Sequence, residues 1–126
     1  MKNSTAPPPV SEEQGSLPPD VGTMRATARR LLADDAELPS PEELETLTLL
    51  LRGHLMVVIP AVESVAGRLP EGDALCACVK ACIEEARVRL CREPGWTLPA
   101  GIAHARLLAR SVHALADHYE SIGGHR

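Results

Sequence analysis

Hydrophobic residues recur at helical spacing in several segments of the chain. In the first segment, Val21, Met24, Ala28 and Leu31 follow one another at intervals of three and four residues. This spacing places all four side chains on one face of an α-helix. The pattern predicts a first helix over residues 21–34.

The second segment carries the strongest helix signals. Ser40 is a predicted N-cap, Pro41 fits the first turn, and Glu43 completes a capping box of the form S-x-x-E. The helix macrodipole accounts for the acidic residues in this first turn. The apolar stripe that follows is Leu44, Leu47, Leu51, Leu55, Val58, Val62, Val65 and Leu69.

This stripe stays on one face beyond Pro60, which lacks the backbone N–H that a helix interior uses. The pattern therefore predicts one long helix over residues 41–68, kinked at Pro60. Two helices broken at Ile59 are the alternative.

Two further helices follow. Residues 69–72 form a predicted turn, and residues 73–92 a third helix whose apolar side is Leu75, Val79, Cys82, Ile83, Ala86 and Leu90. After a loop, Pro99 opens a fourth helix that Gly123 and Gly124 end. Its inner face is Ile102, Ala105, Leu108, Ala109, Val112, Leu115, Ala116 and Tyr119.

Together these segments predict an all-α fold, a small four-helix antiparallel bundle over residues 20–122. The second, third and fourth helices are its expected core. Residues 1–19 are rich in proline and poor in apolar side chains, which predicts a disordered tail. Residues 123–126 are expected to form a short C-terminal tail.

The composition and charge of the chain argue against some classes of partner. The net charge is −4 and only 2% of residues are aromatic, which argues against nucleic acid as a partner because little could neutralise phosphates or stack on bases. No secretory signal is visible, and the longest apolar run, residues 55–62, is too short to span a bilayer. We expect a cytoplasmic protein with no membrane partner.

The cysteines and histidines form no recognisable catalytic or metal-binding motif. Cys76, Cys78, Cys82 and Cys91 lack the paired spacing of zinc sites, so we expect reduced thiols, no metal and no cofactor. His113 and Asp117 lie one helical turn apart, but no nucleophile is nearby in sequence. An enzyme built on these residues is the least favoured hypothesis.

The second helix has a further apolar face, formed by Leu49, Gly53, Met56 and Pro60. A helix that is apolar on two sides is either central in its domain or shared with a partner. The first helix is one expected cover for this candidate interface. A second copy of the chain or another protein is the alternative.

A ligand pocket is the competing interpretation of the same helix. A kink at Pro60 beside Gly53 would open space between helices. His54, His104 and His113 are the candidate residues that would line such a pocket. His54 is alternatively a satisfied histidine at the edge of the core.

Several segments of the sequence resemble those of a known family. They are TMRATARRLL at residues 23–32, PEELETLTLLLRGHL at 41–55, IPAVE at 59–63, RLPE at 68–71 and LPAGIAHARLLAR at 98–110. They resemble small actinobacterial proteins labelled natural-product biosynthesis proteins. The resemblance implies a cytoplasmic, streptomycete-type setting and no reaction.

The sequence therefore favours a non-enzymatic accessory or regulatory interaction protein associated with natural-product biosynthesis. A small bundle that binds an apolar metabolite or biosynthetic intermediate is the alternative.

Overall fold

The computed structural model describes residues 18–124. Within that range the chain forms four α-helices, α1 (Val21–Leu32), α2 (Pro41–Ala66), α3 (Ala74–Cys91) and α4 (Leu98–Tyr119), and no strand. The all-α prediction is confirmed. Most of the predicted N-terminal tail, residues 1–17, lies outside the described residues, as do residues 125 and 126.

Each helix begins at a side-chain cap. The carboxylate of Asp20 accepts a hydrogen bond from the Thr23 backbone N–H, and this bond lowers the pKa of Asp20. The hydroxyl of Ser40 accepts from the backbone N–H of Glu43 in the same way. Asp73 and Thr97 cap α3 and α4. The caps satisfy backbone donors that have no partner within the helix.

The predicted capping box at the start of α2 is only half formed. The carboxylate of Glu43 binds the guanidinium of Arg30 through two hydrogen bonds of 2.8 Å and does not reach back to Ser40. Arg30 is the main cause of the lowered pKa of Glu43. This acidic residue therefore joins α1 to α2, a role that the macrodipole alone does not explain.

Helix α2 is continuous through Pro60, so the alternative of two separate helices is wrong. It is also long and apolar enough to cross a membrane by length and composition, with a mean hydropathy of 1.6 over 18 residues. The core helix of a globular bundle meets the same criteria. Leu51, Leu55, Val58 and Val62 of α2 are fully buried in the bundle.

The four helices alternate in direction along the chain. Arg25 of α1 contacts Asp117 near the end of α4, so these two helices are antiparallel. A Cβ on Gly101 would meet Leu44, and one on Gly123 would meet Val65, so α2 and α4 run in the same direction.

Helix α4 is the centre of the bundle and packs on all three other helices, most extensively on α2 and α1. Helices α1 and α3 lie on opposite sides of the α2–α4 pair and do not contact each other. The expectation of a core built from α2, α3 and α4 is incomplete, because Met24, Ala28 and Leu31 of α1 belong to the same buried cluster.

The end of α4 also differs from the prediction. The α-helix ends at Tyr119, before the two glycines, and the chain continues into a short π-helical turn, Glu120–Gly124. This turn packs against Val65 at the far end of α2. The helical structure therefore reaches Gly124, the last described residue.

Candidate interaction surface

One side of α2 is apolar and exposed along most of its length. The exposed fraction of the residue is 65% for Leu49, 46% for Leu50, 67% for Met56 and 51% for Val57. Helical periodicity places these residues on one face with four smaller exposed residues, Thr46, Gly53, Pro60 and Ser64. These eight residues are called the outer face of α2. None of the eight is charged; exposed Glu63, seven residues after Met56, lies at the edge of this face and pairs with Arg87.

The packing of the bundle explains why nothing in the described chain covers this face. Helix α1 packs mainly on α4 and reaches α2 only along one edge. There His54 Nε2 lies 3.1 Å from the hydroxyl of Thr27, and Arg30 binds Glu43. The expectation that the first helix covers Leu49 and Met56 is therefore wrong.

The solvent side of α4 offers a comparison within the same bundle. Arg110, His113 and Asp117 are exposed there, which is the usual polar outside of a bundle helix. The outer face of α2 lacks this polar character over about 27 Å of helix, at 1.5 Å per residue. An exposed apolar surface of this kind is typical of a site that binds another molecule.

The four predicted interface residues, Leu49, Gly53, Met56 and Pro60, all lie exposed on the outer face. A Cβ on Gly53 would meet nothing within 4 Å, so the face is low at its middle. Leu50 and Val57 were not among the predicted interface residues. They are seven residues apart, the repeat of a helix face, and this spacing beside Gly53 could have identified them.

A groove adjoins one end of the outer face. It encloses about 520 Å³ between the first half of α2 and the loop before α4, and Leu49 belongs to both features. Trp96, the one tryptophan in the sequence, is fully exposed on its rim. Its other apolar lining includes Pro41, Leu44, Pro94 and Leu98. The groove and the outer face form one extended apolar surface.

The three histidines of the predicted pocket have different surroundings. His54 is half-buried against Thr27, so it is the satisfied histidine at the edge of the core. Burial lowers its pKa. His104 is buried in α4, and His113 is exposed beside a 210 Å³ pocket lined by α1. Other residues line the groove beside Trp96 and a second cavity of about 520 Å³ between the end of α2 and α3.

His104 is a buried histidine whose Nε2 has no hydrogen-bond partner among the described residues. Only 6% of the residue is exposed. Burial lowers its pKa, and the positive charges of Arg52 and Arg92 lower it further. The neutral imidazole is therefore favoured in the folded protein.

The His113–Asp117 pair is an exposed helix contact. Its atoms Nδ1 and Oδ2 are 3.7 Å apart, while Asp117 accepts a 2.6 Å hydrogen bond from Arg25. Glu120 binds the other nitrogen of the same guanidinium at 2.6 Å. Asp117 thus serves mainly to hold α1 against the end of α4.

The cysteines are dispersed along α3. Cys78 and Cys91 are exposed, whereas Cys76 and Cys82 are half-buried. Burial raises the pKa of Cys82, which disfavours its reactive thiolate. Cys76 lines the second cavity of about 520 Å³, between the end of α2 and α3. Within residues 18–124, no three His, Cys, Asp or Glu side chains are grouped as a metal site requires.

The fold and this surface define a small all-α bundle with an apolar helix face that no described residue covers. Over residues 22–124 the chain matches DUF6415, described as a family of unknown function, and it belongs to that family. The match spans the described helices. Comparison with curated proteins and with solved structures gave no match.

Proposed function

We propose that this protein is a non-enzymatic accessory or regulatory protein that binds a protein partner through the outer face of α2. The observation that carries the proposal is the exposure of four large apolar side chains, Leu49, Leu50, Met56 and Val57, on an uncharged helix face. Burial of apolar surface is the main driving force of most protein association, at about 25 cal/mol per Å².

The state of the titratable groups supports a binding role. Asp117 is held by Arg25, so it is poorly placed to orient His113 as a base. The raised pKa of Cys82 disfavours nucleophilic chemistry at that thiol. The family resemblance of the helical segments supports an association with natural-product biosynthesis in the cytoplasm.

A second candidate function is the binding of an apolar small molecule in the groove beside Trp96. Its volume of about 520 Å³ falls within the usual range of ligand sites, about 300–1,000 Å³. Because Trp96 is the single tryptophan, a ligand that enters the groove would shift its fluorescence emission to shorter wavelength. Native mass spectrometry of protein purified from its host would detect the same ligand directly.

The partner-binding proposal is tested by affinity purification from the native host. The variant Leu49→Glu, Met56→Glu places two charges on the outer face and should fold normally, because both side chains are exposed. We expect it to lose proteins that co-purify with the unmodified chain.

The matched control is Ala81→Glu, Val88→Glu, which adds the same charges to exposed positions of α3. This control should retain those proteins. Co-purification that is equal for both variants, at equal circular dichroism, would contradict a binding role for the outer face.

A further inference from the structure

The two ends of the outer face carry opposite charges. Glu42 and Glu45 lie exposed in the first turns of α2, and Arg68 lies exposed immediately after the Gly67 C-cap. The side chains of Glu42, Glu45 and Arg68 form no ion pair or hydrogen bond with another described residue. The uncharged outer face separates these groups along the length of the helix.

We infer that the outer face binds a second copy of this chain, with the two α2 helices packed antiparallel about a two-fold axis. When Gly53 of one copy lies opposite Val57 of the second copy, Glu42 of each copy lies opposite Arg68 of the other. This inference rests on the proposed function, since it names the partner of the same face.

The rest of the face is complementary to itself in this register. Leu50 lies opposite Pro60 of the second copy, and Thr46 lies opposite Ser64 of the second copy. The two ends therefore pair by charge, and the middle pairs by apolar contact. Antiparallel helix macrodipoles also place each negative helix end beside a positive one.

Gly53 permits the helices to approach closely. The distance between two packed helices depends on the side chains at the contact. Gly53 has no side chain and nothing within 4 Å of the place a Cβ would occupy. Val57 of the second copy can therefore enter the low middle of the face.

The exposed area is sufficient for a dimer of moderate affinity. A specific interface buries at least about 1,000 Å² in total, or about 500 Å² from each copy. The four large apolar side chains of the outer face together with Trp96 expose on the order of 500 Å² per copy, since an aromatic side chain alone presents about 150–250 Å². Trp96 and Leu49 line the same groove, so Trp96 adds apolar surface at that end of the outer face.

The test begins with sedimentation equilibrium of the full chain over a range of concentrations. We expect the unmodified protein to reach twice the chain mass of 13.5 kDa. Leu49→Glu, Met56→Glu should remain monomeric and folded, while Ala81→Glu, Val88→Glu should still dimerise. A monomer at every concentration, or a dimer that survives the outer-face variant, would overturn the inference.

Charge exchange tests the antiparallel register. Glu42→Arg and Arg68→Glu each create two like-charge contacts in a symmetric dimer, so each should weaken dimerisation about tenfold. The double variant Glu42→Arg, Arg68→Glu restores opposite charges at both ends and should recover most of the affinity. If the double variant is as weak as the single ones, the register is wrong.

These results separate the inference from the proposed function. A chain that stays monomeric yet captures a host protein through the outer face overturns self-association and leaves partner binding intact. A dimer that fails to retain any host protein supports self-association and contradicts binding of another protein. A small molecule bound in the groove of a monomer contradicts the self-association inference.

Discussion

At the scale of single residues, His104 is the side chain with the clearest energetic consequence. It is 6% exposed, its Nε2 has no partner among the described residues, and burial holds its pKa below the ordinary value of 6.5. A charged imidazole at this position would lose hydration and would lie near Arg52 and Arg92.

The lowered pKa makes folding stability depend on pH. Below pH 6.5 the unfolded chain binds a proton at His104 that the folded chain binds only at lower pH, so acid favours unfolding. The stability that depends on a neutral His104 is fully present above pH 6.5 and decreases as the pH falls. We expect denaturant unfolding to show lower stability at about pH 5.5 than at about pH 7.5.

The variant His104→Leu should reduce this loss, because it removes the proton-binding group. His54, whose pKa burial also lowers, accounts for part of the remaining dependence. His113→Gln, which replaces a histidine at an exposed position, is the control substitution. An identical pH dependence in His104→Leu and the unmodified chain would show that His104 titrates normally.

At the scale of elements, two glycines illustrate how the same residue type has opposite roles. Gly53 lies in the middle of α2 with open space around it, whereas Gly123 lies in the C-terminal π turn. A Cβ on Gly123 would come within 2.5 Å of Val65 Cγ1 and 2.9 Å of Val65 Cβ. A β-branched side chain in a helix has little freedom to move aside.

Replacement of each glycine by alanine should therefore have opposite effects on the monomer. Gly123→Ala should destabilise it by about 1–3 kcal/mol, the usual range for overpacking, because the turn must move away from Val65. Gly53→Ala should stabilise it by about 0.5–1 kcal/mol, because glycine costs entropy in a helix. Chemical unfolding at dilution measures both changes.

The comparison is informative because each variant controls for the other. If Gly123→Ala leaves the free energy of unfolding unchanged, the π turn is not packed on α2 as described. A destabilised Gly53→Ala monomer would show that space beside this glycine is occupied.

At the scale of the whole molecule, the central position of α4 makes the four helices one folding unit. Met24, Ala28 and Leu31 of α1 belong to the same buried cluster as the stripes of α2, α3 and α4. Arg25 adds two 2.6 Å contacts from α1 to Asp117 and Glu120. Loss of α1 would expose the side of α4 on which it packs.

We expect a chain that begins at residue 38 to lose cooperative unfolding. It keeps α2, α3 and α4, but it loses buried apolar side chains that contribute about 1.5–3 kcal/mol each, against a total stability of about 5–15 kcal/mol. Thermal melting followed by circular dichroism makes the measurement.

Deletion of residues 1–17 alone is the control, and the composition of this segment predicts an unchanged melting temperature. A sharp transition in the chain that begins at residue 38 would instead show that α2, α3 and α4 fold without α1.

The sequence by itself determined the number of helices, the bounds of the first three to within about two residues, and most of the buried stripes, although Leu75 of the third stripe is exposed. The physical reason is that these features are local. A cap such as Ser40 acts on a backbone donor three residues away, and the stripe of α2 needs only the helical period to align Leu51, Leu55 and Val58. The sequence also identified Leu49 and Met56 as a second apolar face.

Only the tertiary structure decided which faces are covered. Coverage depends on the helix that lies alongside, and the sequence contains no local signal that α1 packs on α4 and leaves α2 open. Contacts between residues that are distant in the sequence also depend on the tertiary structure. Glu43 has Arg30 as its partner, and His54 has Thr27, because the arrangement of the helices brings distant residues together.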